Sequence, residues 1–593
     1  MTYPTKWNLA RYFYTGLDDP RLATDIANIL PATVKFSKKY EDTFHTFTTA
    51  EQILSFYADY TVMSHDMATP SYYLFYRSSL DTQDLAVTKR MGEVDYIYTE
   101  ASNQLLWVAQ WWKQIGYEQI ILWSHDRALA RYKNDLLSTA DGIRYILGEA
   151  EEKVLNLKSR PLALANSLHD ELTGSYEYTM TIDGEVKKLT EEEVRSYRQH
   201  TDRNIRRESY ESLRRVYNSK QTQITLGNIY TSIVKDWTSE ITMRGYPDTV
   251  MAQRNISEEM DDEVVDMLLS EVERAYPLYQ RFLAIKAKML ELESDFSVYD
   301  IGAPLGTVDK NFTFDEAYDL HLSVMRDFDT EFYDYSLRMI EEERIDVFPQ
   351  VGKRGGAYAS YRKWEESFVL LNFTGKLRDV STISHELGHA IHGHLSQWQE
   401  APVYDSALSL AETASIFSEM LLWEKVKSLV TPEEYKEYLN ERLGDIFATI
   451  WRQVQYVAFE RDVHTQIYSG QELSYKDLNI LWRGHQDKLY GGVVAYDTDA
   501  ESESGWSMIP HIYHTPFYCY AYAFGNLLTF ALYNKVQDRS LSKEDYKDIL
   551  RAGGSERPRD LLARYGIDIA SPEFYQAWLR EVEKMVDEFE KMV

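Results

Sequence analysis

Apolar residues recur at helical spacing along most of the chain, and several of these segments begin with residues that suit a helix N-terminus. Thr190 stands before one such segment and has Glu193 three residues on, which is the pattern of a capping box. Thr313 begins the same pattern. At Thr431 and Ser571 the next residue is proline, which the first position of a helix tolerates. The pattern predicts a mainly α protein.

Patterns typical of strands are few. Asp183 and Gly184 lie between two short runs in YTMTIDGEVKKL, which is the signature of a β-hairpin. The segments FSVYDI, from residue 296, and FVLLNF, from residue 368, are also rich in strand-forming residues. The second lies just before a histidine-rich stretch. We therefore expect a small β-sheet beside that stretch.

A chain of 593 residues is too long for one compact core, so the sequence predicts two or more lobes. The predicted hairpin and the loop before Thr190 supply a boundary. We expect an N-terminal helical lobe over residues 1–190 and a larger lobe over residues 191–593.

The composition argues against several classes of partner and location for the chain. A formal net charge of −30 repels phosphate backbones and argues against nucleic acid. The single cysteine, Cys519, excludes a disulfide within the chain. The N-terminus lacks the pattern of a signal peptide, and the most apolar window, residues 517–533, is interrupted by Gly525 and Asn526 and predicts a buried helix. We expect a cytoplasmic protein with no membrane partner, and the sequence leaves its oligomeric state open.

The stretch TISHELGHAIHGHLSQWQE, residues 382–400, contains four histidines. His385, Glu386 and His389 match H-E-x-x-H, in which residues four apart share a helix face and two imidazoles can converge on one ion. The glutamate can then reach a metal-bound water, whose pKa zinc lowers to about 7. A helix whose histidines are only solvated or packed would carry the same five residues, so the decision rests on a third ligand.

We expect the third ligand to come from outside this helix. A straight helix bends too little to wrap His392 around the same ion, so we expect this residue to pack or to support a ligand. The pattern H-E-x-x-H-x-x-G-x-x-H also fails, because its last histidine position holds Leu395. Glu412 lies among apolar residues, where a charge is costly unless it is paired or metal-bound. We therefore favour metal binding by Glu412 over the alternative, that it is an exposed helix residue. Glu419, on the same helix face, could orient an imidazole.

These motifs resemble those of the oligoendopeptidase F family, which are relatives of thimet oligopeptidase among the zinc peptidases. The resemblance covers roughly residues 195–593 and rests on a histidine helix followed, about two dozen residues later, by a glutamate in a segment like LAETAS. It implies that His385, His389 and Glu412 bind one zinc ion (Zn2+) and that Glu386 is the general base. It also implies an N-terminal helical lobe that packs opposite the catalytic lobe and encloses a channel for short peptides.

Three further segments carry the resemblance. The first, residues 206–249, resembles the opening helices of the family's catalytic lobe. Residues 346–361 resemble a glycine-containing strand and turn. In the family the strand that follows, here FVLLNF, lines the cleft, and an exposed strand edge there could pair with an extended peptide. The glycines of the turn would allow close backbone approach. An ordinary turn is the alternative for these glycines. We assign substrate binding to Gly355, Gly356, Ala357 and Tyr358.

Residues 511–525 resemble a histidine and tyrosine cluster that donates hydrogen bonds to the substrate carbonyl oxygen as it gains charge. Tyr513 and His514 stay open as donors. The resemblance favours His511, Tyr518, Tyr520 and Tyr522.

The sequence therefore predicts a two-lobed helical zinc oligoendopeptidase that hydrolyses short unstructured peptides. A metallo-carboxypeptidase on the same scaffold is an alternative, which would need Lys353 or Arg354 to hold a terminal carboxylate. A non-catalytic peptide-binding protein is a second alternative, but it would have no need of Glu386.

Overall fold

The computed structural model describes residues 2–247, 249–306 and 311–593. Helices make up most of it, so the predicted mainly α fold is confirmed. The α-helices before the histidine stretch are α1 Leu9–Tyr12, α2 Pro20–Tyr40, α3 Ala50–Leu80, α4 Leu85–Asn103, α5 Leu106–Ile115, α6 Tyr117–Ser124, α7 Lys133–Gly142, α8 Glu149–Ser175, α9 Glu191–Ser196, α10 Arg203–Tyr217, α11 Lys220–Arg244, α12 Ala252–Ser257, α13 Asp262–Arg274, α14 Tyr276–Met289, α15 Phe314–Phe328 and α16 Thr330–Glu341.

The α-helices from the histidine stretch onward are α17 Leu377–Leu395, α18 Leu408–Ala411, α19 Thr413–Val426, α20 Pro432–Ile446, α21 Arg452–Tyr468, α22 Tyr475–Tyr490, α23 Pro510–His514, α24 Tyr520–Gln537, α25 Lys543–Arg551, α26 Pro558–Ala563 and α27 Pro572–Glu590. The strands are β1 Tyr178–Ile182, β2 Glu185–Leu189, β3 Ile345–Asp346, β4 Tyr358–Ser360 and β5 Phe368–Leu370.

The chain folds into two compact units, each built from segments that are distant in sequence. The first unit comprises Met1–Ile146, Lys310–Ser428 and Lys535–Tyr565. The second unit comprises Leu147–Asp309, Leu429–Asn534 and Gly566–Val593. The two lobes that we expect at residues 1–190 and 191–593 are each one continuous segment, unlike these units. That division stays a prediction.

Local sequence signals predict several of the elements correctly. The hairpin of β1 and β2 turns at Asp183 and Gly184, whose φ angles of 53° and 81° are the positive values that this two-residue turn requires. Capping boxes start α9 at Thr190 and α15 at Thr313, as predicted. Ser571 precedes α27 without a side-chain capping bond, so proline alone marks that start.

The segment FSVYDI does not form the predicted strand. Only Ser297 makes a β-bridge, with Ala495, and the next three residues form a 3-10 turn. The reason is Asp300, whose fully buried carboxylate accepts a hydrogen bond from the Ser297 amide and pairs with the Arg206 guanidinium at 2.9 Å. A carboxylate anchored in this way holds the chain in a turn.

A three-stranded sheet in the first unit precedes the histidine helix, as the segment FVLLNF predicts. The strand order is β3-β5-β4, with β3 parallel and β4 antiparallel to β5. The central strand β5 is buried throughout and has a neighbour on each side, so the exposed edge expected at FVLLNF is wrong. The half-buried edge is β4. The Trp7 indole donates to the carbonyl of Val369 at 2.8 Å, so the N-terminal segment helps to fix β5.

Among the described residues, no helix is both apolar enough and long enough to span a bilayer. The apolar window at residues 517–533 falls largely in α24, where every residue from Ala523 to Leu532 is buried. The prediction of a buried helix for this window is confirmed.

Candidate functional site

Helix α17 carries the histidine stretch and packs closely against α19. Gly388, between the two histidines of H-E-x-x-H, allows this approach, since a Cβ there would lie 2.5 Å from the carbonyl oxygen of Ala414. The start of α17 is held by Asp379, whose carboxylate accepts from the amides of Thr374 and Lys376 at 2.8 and 3.1 Å. The small residue and the cap together bring the histidine face of α17 next to α19.

Three polar atoms converge where these helices meet. The Nε2 atoms of His385 and His389 are 3.2 Å apart, and the Glu412 Oε2 atom lies 3.5 and 3.4 Å from them. A tetrahedral zinc ion with bonds of about 2.0–2.1 Å separates its ligands by about 3.3 Å. The donor set and its spacing therefore fit one divalent ion. Glu412 ends α18 and directly precedes α19, and the Ser415 hydroxyl donates to its Oε2 at 2.8 Å.

Glu419 on α19 orients one of the imidazoles. Its Oε1 lies 2.5 Å from the Nδ1 of His385. A hydrogen bond at Nδ1 fixes the tautomer that leaves Nε2 free to bind a metal. The geometry agrees with the orienting role that the sequence suggests for Glu419.

Charge is concentrated at this cluster. Burial alone would lower the pKa of His385, but the hydrogen bond to Glu419 and the charges of Glu419 and Glu412 raise it to about 9. Burial opposes ionisation of Glu412, yet the neighbouring imidazoles, His389 first, lower its pKa to about 2. The carboxylates around the two imidazoles therefore favour a positive charge at this cluster.

Glu386 is buried beside the cluster. Burial raises the pKa of its carboxyl group, while the charges of His385 and His389 and the backbone amide of Ala359 oppose the rise. Ala359 belongs to the edge strand β4, so this carboxylate lies between the candidate metal ligands and the sheet.

The other two histidines of the stretch face elsewhere. His392 is 3% exposed, and burial lowers its pKa to about 4. The His394 ring stacks on Tyr335 with 4.2 Å between ring centroids. Both pack, as expected for His392 from the helix geometry.

Three of the four residues expected to bind substrate, Gly355, Ala357 and Tyr358, line a cavity along β4, and Gly356 does not. Gly356 has a φ of 75°, and the Asn372 amide donates to its carbonyl at 2.7 Å, so the turn before the strand is fixed. The cavity has a volume of about 630 Å3. Its lining combines α3 with the turn and strand: Ser71, Tyr72, Phe75, Arg354, Gly355, Ala357, Tyr358, Ala359 and Ser360.

The C-terminal histidine and tyrosine cluster belongs to the second unit. Tyr518 and Tyr522 are half-buried, and their ring centroids lie 6.1 and 5.9 Å from that of His511. The Tyr522 hydroxyl is 3.5 Å from the His511 Nε2. Tyr520 is only 1% exposed and its hydroxyl is buried. These positions favour His511, Tyr518 and Tyr522 as hydrogen-bond donors and disfavour Tyr520.

His514 contacts a carboxylate rather than the tyrosines of this cluster. Its Nε2 lies 2.8 Å from Asp170 on α8, whose carboxylate also meets the buried His169 at 3.0 Å. These three side chains form a second group whose donor atoms lie within 4.8 Å of one another. The contact ties α23 to α8 and occupies a histidine that the sequence left open as a donor.

The sequence interpretation missed Glu460, which supports the histidine and tyrosine segment. Its fully buried carboxyl group accepts from the Phe517 amide at 2.9 Å, and Phe517 has a φ of 61°, a strained value for a bulky residue. Burial raises the pKa of Glu460 to about 8. The signal was available, because Glu460 follows Val457, Ala458 and Phe459 in an apolar run like the one around Glu412.

Comparisons with known proteins agree with this geometry. Residues 196–581 match the sequence profile of peptidase family M3. The chromosomal oligoendopeptidase F of Lactococcus lactis subsp. cremoris is 32% identical over 413 residues, which is 69% of this chain and 67% of that protein. Oligopeptidase PepF of Bacillus subtilis is 26% identical over 531 residues, which is 88% of this chain and 78% of that protein.

Solved structures share the fold over nearly the whole chain. A protein from Chlamydophila abortus superimposes with a TM-score of 0.82 at 26% identity and covers 92% of both chains. Oligoendopeptidase-F from Enterococcus faecium gives a TM-score of 0.71 at 19% identity, with 96% of this chain and 97% of that chain covered. The resemblance to oligoendopeptidase F is confirmed by these matches, and the chain belongs to peptidase family M3 as an oligopeptidase of the oligoendopeptidase F type.

Proposed function

We propose that this oligopeptidase is a zinc-dependent endopeptidase that cleaves short, unstructured peptides, with one Zn2+ per chain held by His385, His389 and Glu412. The observation that carries the proposal is the convergence of their three donor atoms at 3.2–3.5 Å. When bound, zinc supplies Lewis acidity toward the scissile carbonyl and toward water. Glu419 keeps the His385 ring in the tautomer that can bind it.

Glu386 moves the proton in this proposal. It takes a proton from the attacking water and returns it to the departing amine. A carboxylate with an ordinary pKa is a weak base at neutral pH, and burial makes Glu386 more basic. Its position next to both histidines and to β4 suits transfer between water and a bound peptide.

His511, Tyr518 and Tyr522 are our candidates for donors to the substrate carbonyl oxygen. Burial lowers the pKa of His511, which keeps its ring neutral at pH 7 with one N–H to donate. Tyrosine hydroxyls are also neutral donors at this pH. Such donors stabilise the transition state because charge develops on that oxygen.

The edge of β4 is the proposed binding surface for the peptide backbone. An edge strand offers unpaired backbone groups, and an extended peptide can pair with them whatever its side chains are. Gly355, Gly356, Ala357 and Tyr358 lie at the start of this edge. Backbone pairing of this kind selects flexible peptides over folded proteins.

Replacing Glu386 by Gln tests the assignment of the base. We expect hydrolysis of an internally quenched peptide blocked at both ends to fall by about 10²- to 10⁴-fold, while zinc content per chain stays at the wild-type level. Glu424→Gln, an exposed position on α19, is the matched control. Wild-type hydrolysis by Glu386→Gln would refute the assigned base, and failure of the wild type to cut the doubly blocked peptide would favour a carboxypeptidase.

A further inference from the structure

Arg354 presents a positive charge in the lining of the cavity along β4. Its guanidinium lies 5.4 Å from the ring centroid of Phe75 and 5.8 Å from that of Tyr358, within the range of cation–π attraction. The side chain is exposed, and among the described residues no carboxylate forms an ion pair with it. The two rings hold the guanidinium and leave its N–H groups available to a ligand.

The neighbouring lysine is not available in this way. The Lys353 Nζ is fully buried, lies 2.6 Å from the Asp346 carboxylate and donates to the Phe348 carbonyl at 2.8 Å. Its charge is therefore neutralised within the protein. Of the two cations that the sequence offered for a substrate carboxylate, the structure leaves Arg354.

The backbone of Arg354 is fixed on both sides. Its amide donates to the carbonyl of Ser79 at 2.9 Å, and its carbonyl accepts from the Asn372 side chain at 2.9 Å. A side chain that extends from a fixed backbone and stacks on rings loses little conformational entropy when it binds a ligand. The position is prepared for binding before the ligand arrives.

Arg354 lies just before the turn that leads into β4, the strand beside the proposed base. Arg354 is five residues before Ala359, whose amide faces Glu386. At about 3.3 Å per residue, this segment spans at most about 17 Å. An extended peptide that pairs along β4 can therefore reach Arg354 with a group that lies no more than about five residues from the scissile bond.

We propose that Arg354 binds a carboxylate of the peptide substrate, either a C-terminal carboxylate or an Asp or Glu side chain, and so selects substrates that carry one a few residues from the cut. The proposal rests on the proposed endopeptidase function. Guanidinium binds carboxylate through two parallel N–H donors, a geometry that lysine lacks. The chain carries a net charge of −30, which repels acidic peptides, so their acceptance needs a local cation of this kind.

The test compares quenched peptides that differ only in charge. One set carries Glu or Gln at single positions two to six residues from the cut with an amidated C-terminus, and a second set carries Gln throughout with a free or amidated C-terminus. We expect wild-type kcat/KM to favour one carboxylate-bearing peptide over its neutral partner by about tenfold, since a hydrogen bond to a charged group contributes about that much. The set that shows the preference identifies the source of the carboxylate.

Arg354→Gln should bring this ratio close to one, and Arg354→Lys should retain part of it. Arg338→Gln is the matched control, because Arg338 is also exposed and stacks on a tyrosine ring, at 5.1 Å, but does not line the cavity. A preference that persists in Arg354→Gln, or no preference in the wild type, would overturn the proposal.

Binding of the same peptides to Glu386→Gln, measured by fluorescence anisotropy with and without Arg354→Gln, separates this proposal from the endopeptidase proposal. Loss of the carboxylate preference in binding supports the role of Arg354 even where the wild type fails to hydrolyse a peptide. Equal affinities for charged and neutral peptides in both backgrounds count against it.

Discussion

At the scale of single residues, buried and half-buried carboxylates organise this protein. Glu412 and Glu419 contact the imidazoles of the histidine helix, and Glu460 holds the backbone of the tyrosine segment. Each lies in a run of mainly apolar residues, where an unpaired charge would be costly, so each has a partner or a proton. Such residues can be recognised in the sequence, because a carboxylate on an apolar helix face must have a partner or be protonated.

Glu460 predicts a pH dependence of stability. Burial raises its pKa to about 8 in the folded protein, from 4.5 in the unfolded chain, so between these values the folded state binds more protons. Stability therefore falls as pH rises from about 4.5 to 8. Glu460→Gln removes this titration and keeps an oxygen for the Phe517 amide. From pH 5 to pH 8 we expect the free energy of unfolding of this variant to gain on that of the wild type by an amount on the order of a few kcal/mol, and its thermal midpoint to rise relative to the wild type accordingly.

The measurement is thermal unfolding of both proteins at pH 5, 6.5 and 8 and equal ionic strength. A difference in midpoint that stays constant across this range would contradict a protonated Glu460. The comparison is internal to the pair, so other titrating groups cancel to first order.

At the scale of elements, the site depends on two helices that approach closely and on a strand that stays at the edge of its sheet. The helical period alone brings His385 and His389 to one face, and the sequence could predict that. Glycine is needed at position 388 because the carbonyl of Ala414 lies where a Cβ would be. Ala414 is on another helix, so the sequence around Gly388 could not predict this contact. The strand-forming residues of FVLLNF could predict a sheet near the site. They could not predict the strand order β3-β5-β4.

Two further features that the sequence does not reveal have the same origin. FSVYDI has strand-forming residues, yet long-range pairing of Asp300 with Arg206 overrides them. Tyr518, Tyr520 and Tyr522 look alike in sequence, and only packing distinguishes the buried Tyr520 from its neighbours. Contacts between distant segments decide these cases, and sequence periodicity carries no information about them.

Gly388→Ala tests the helix contact. The added methyl group would lie 2.5 Å from backbone atoms of α19, so the helices must separate. We expect a loss of about 1–3 kcal/mol in the free energy of unfolding and a lower affinity for zinc, measured by denaturation and by competition with a chelator. Gly444→Ala on α20 is the control, because its Cβ meets nothing within 4 Å, and it should be neutral or stabilising. Equal behaviour of the two variants would contradict the close contact.

At the scale of the whole molecule, the chain is an acidic, mainly helical member of peptidase family M3 whose two units each gather distant segments. The candidate metal ligands, Glu386, β4 and Arg354 all belong to the first unit, and the histidine and tyrosine cluster belongs to the second. The proposed metal ion belongs to the first unit, at the one H-E-x-x-H motif of the sequence.

Anomalous scattering at the zinc edge, from crystals of the whole chain grown with zinc, tests the central claim most directly. The account predicts a strong peak within about 2.1 Å of the Nε2 atoms of His385 and His389 and of the Glu412 carboxylate. A metal bound without Glu412, or no peak between the two imidazoles, would contradict it.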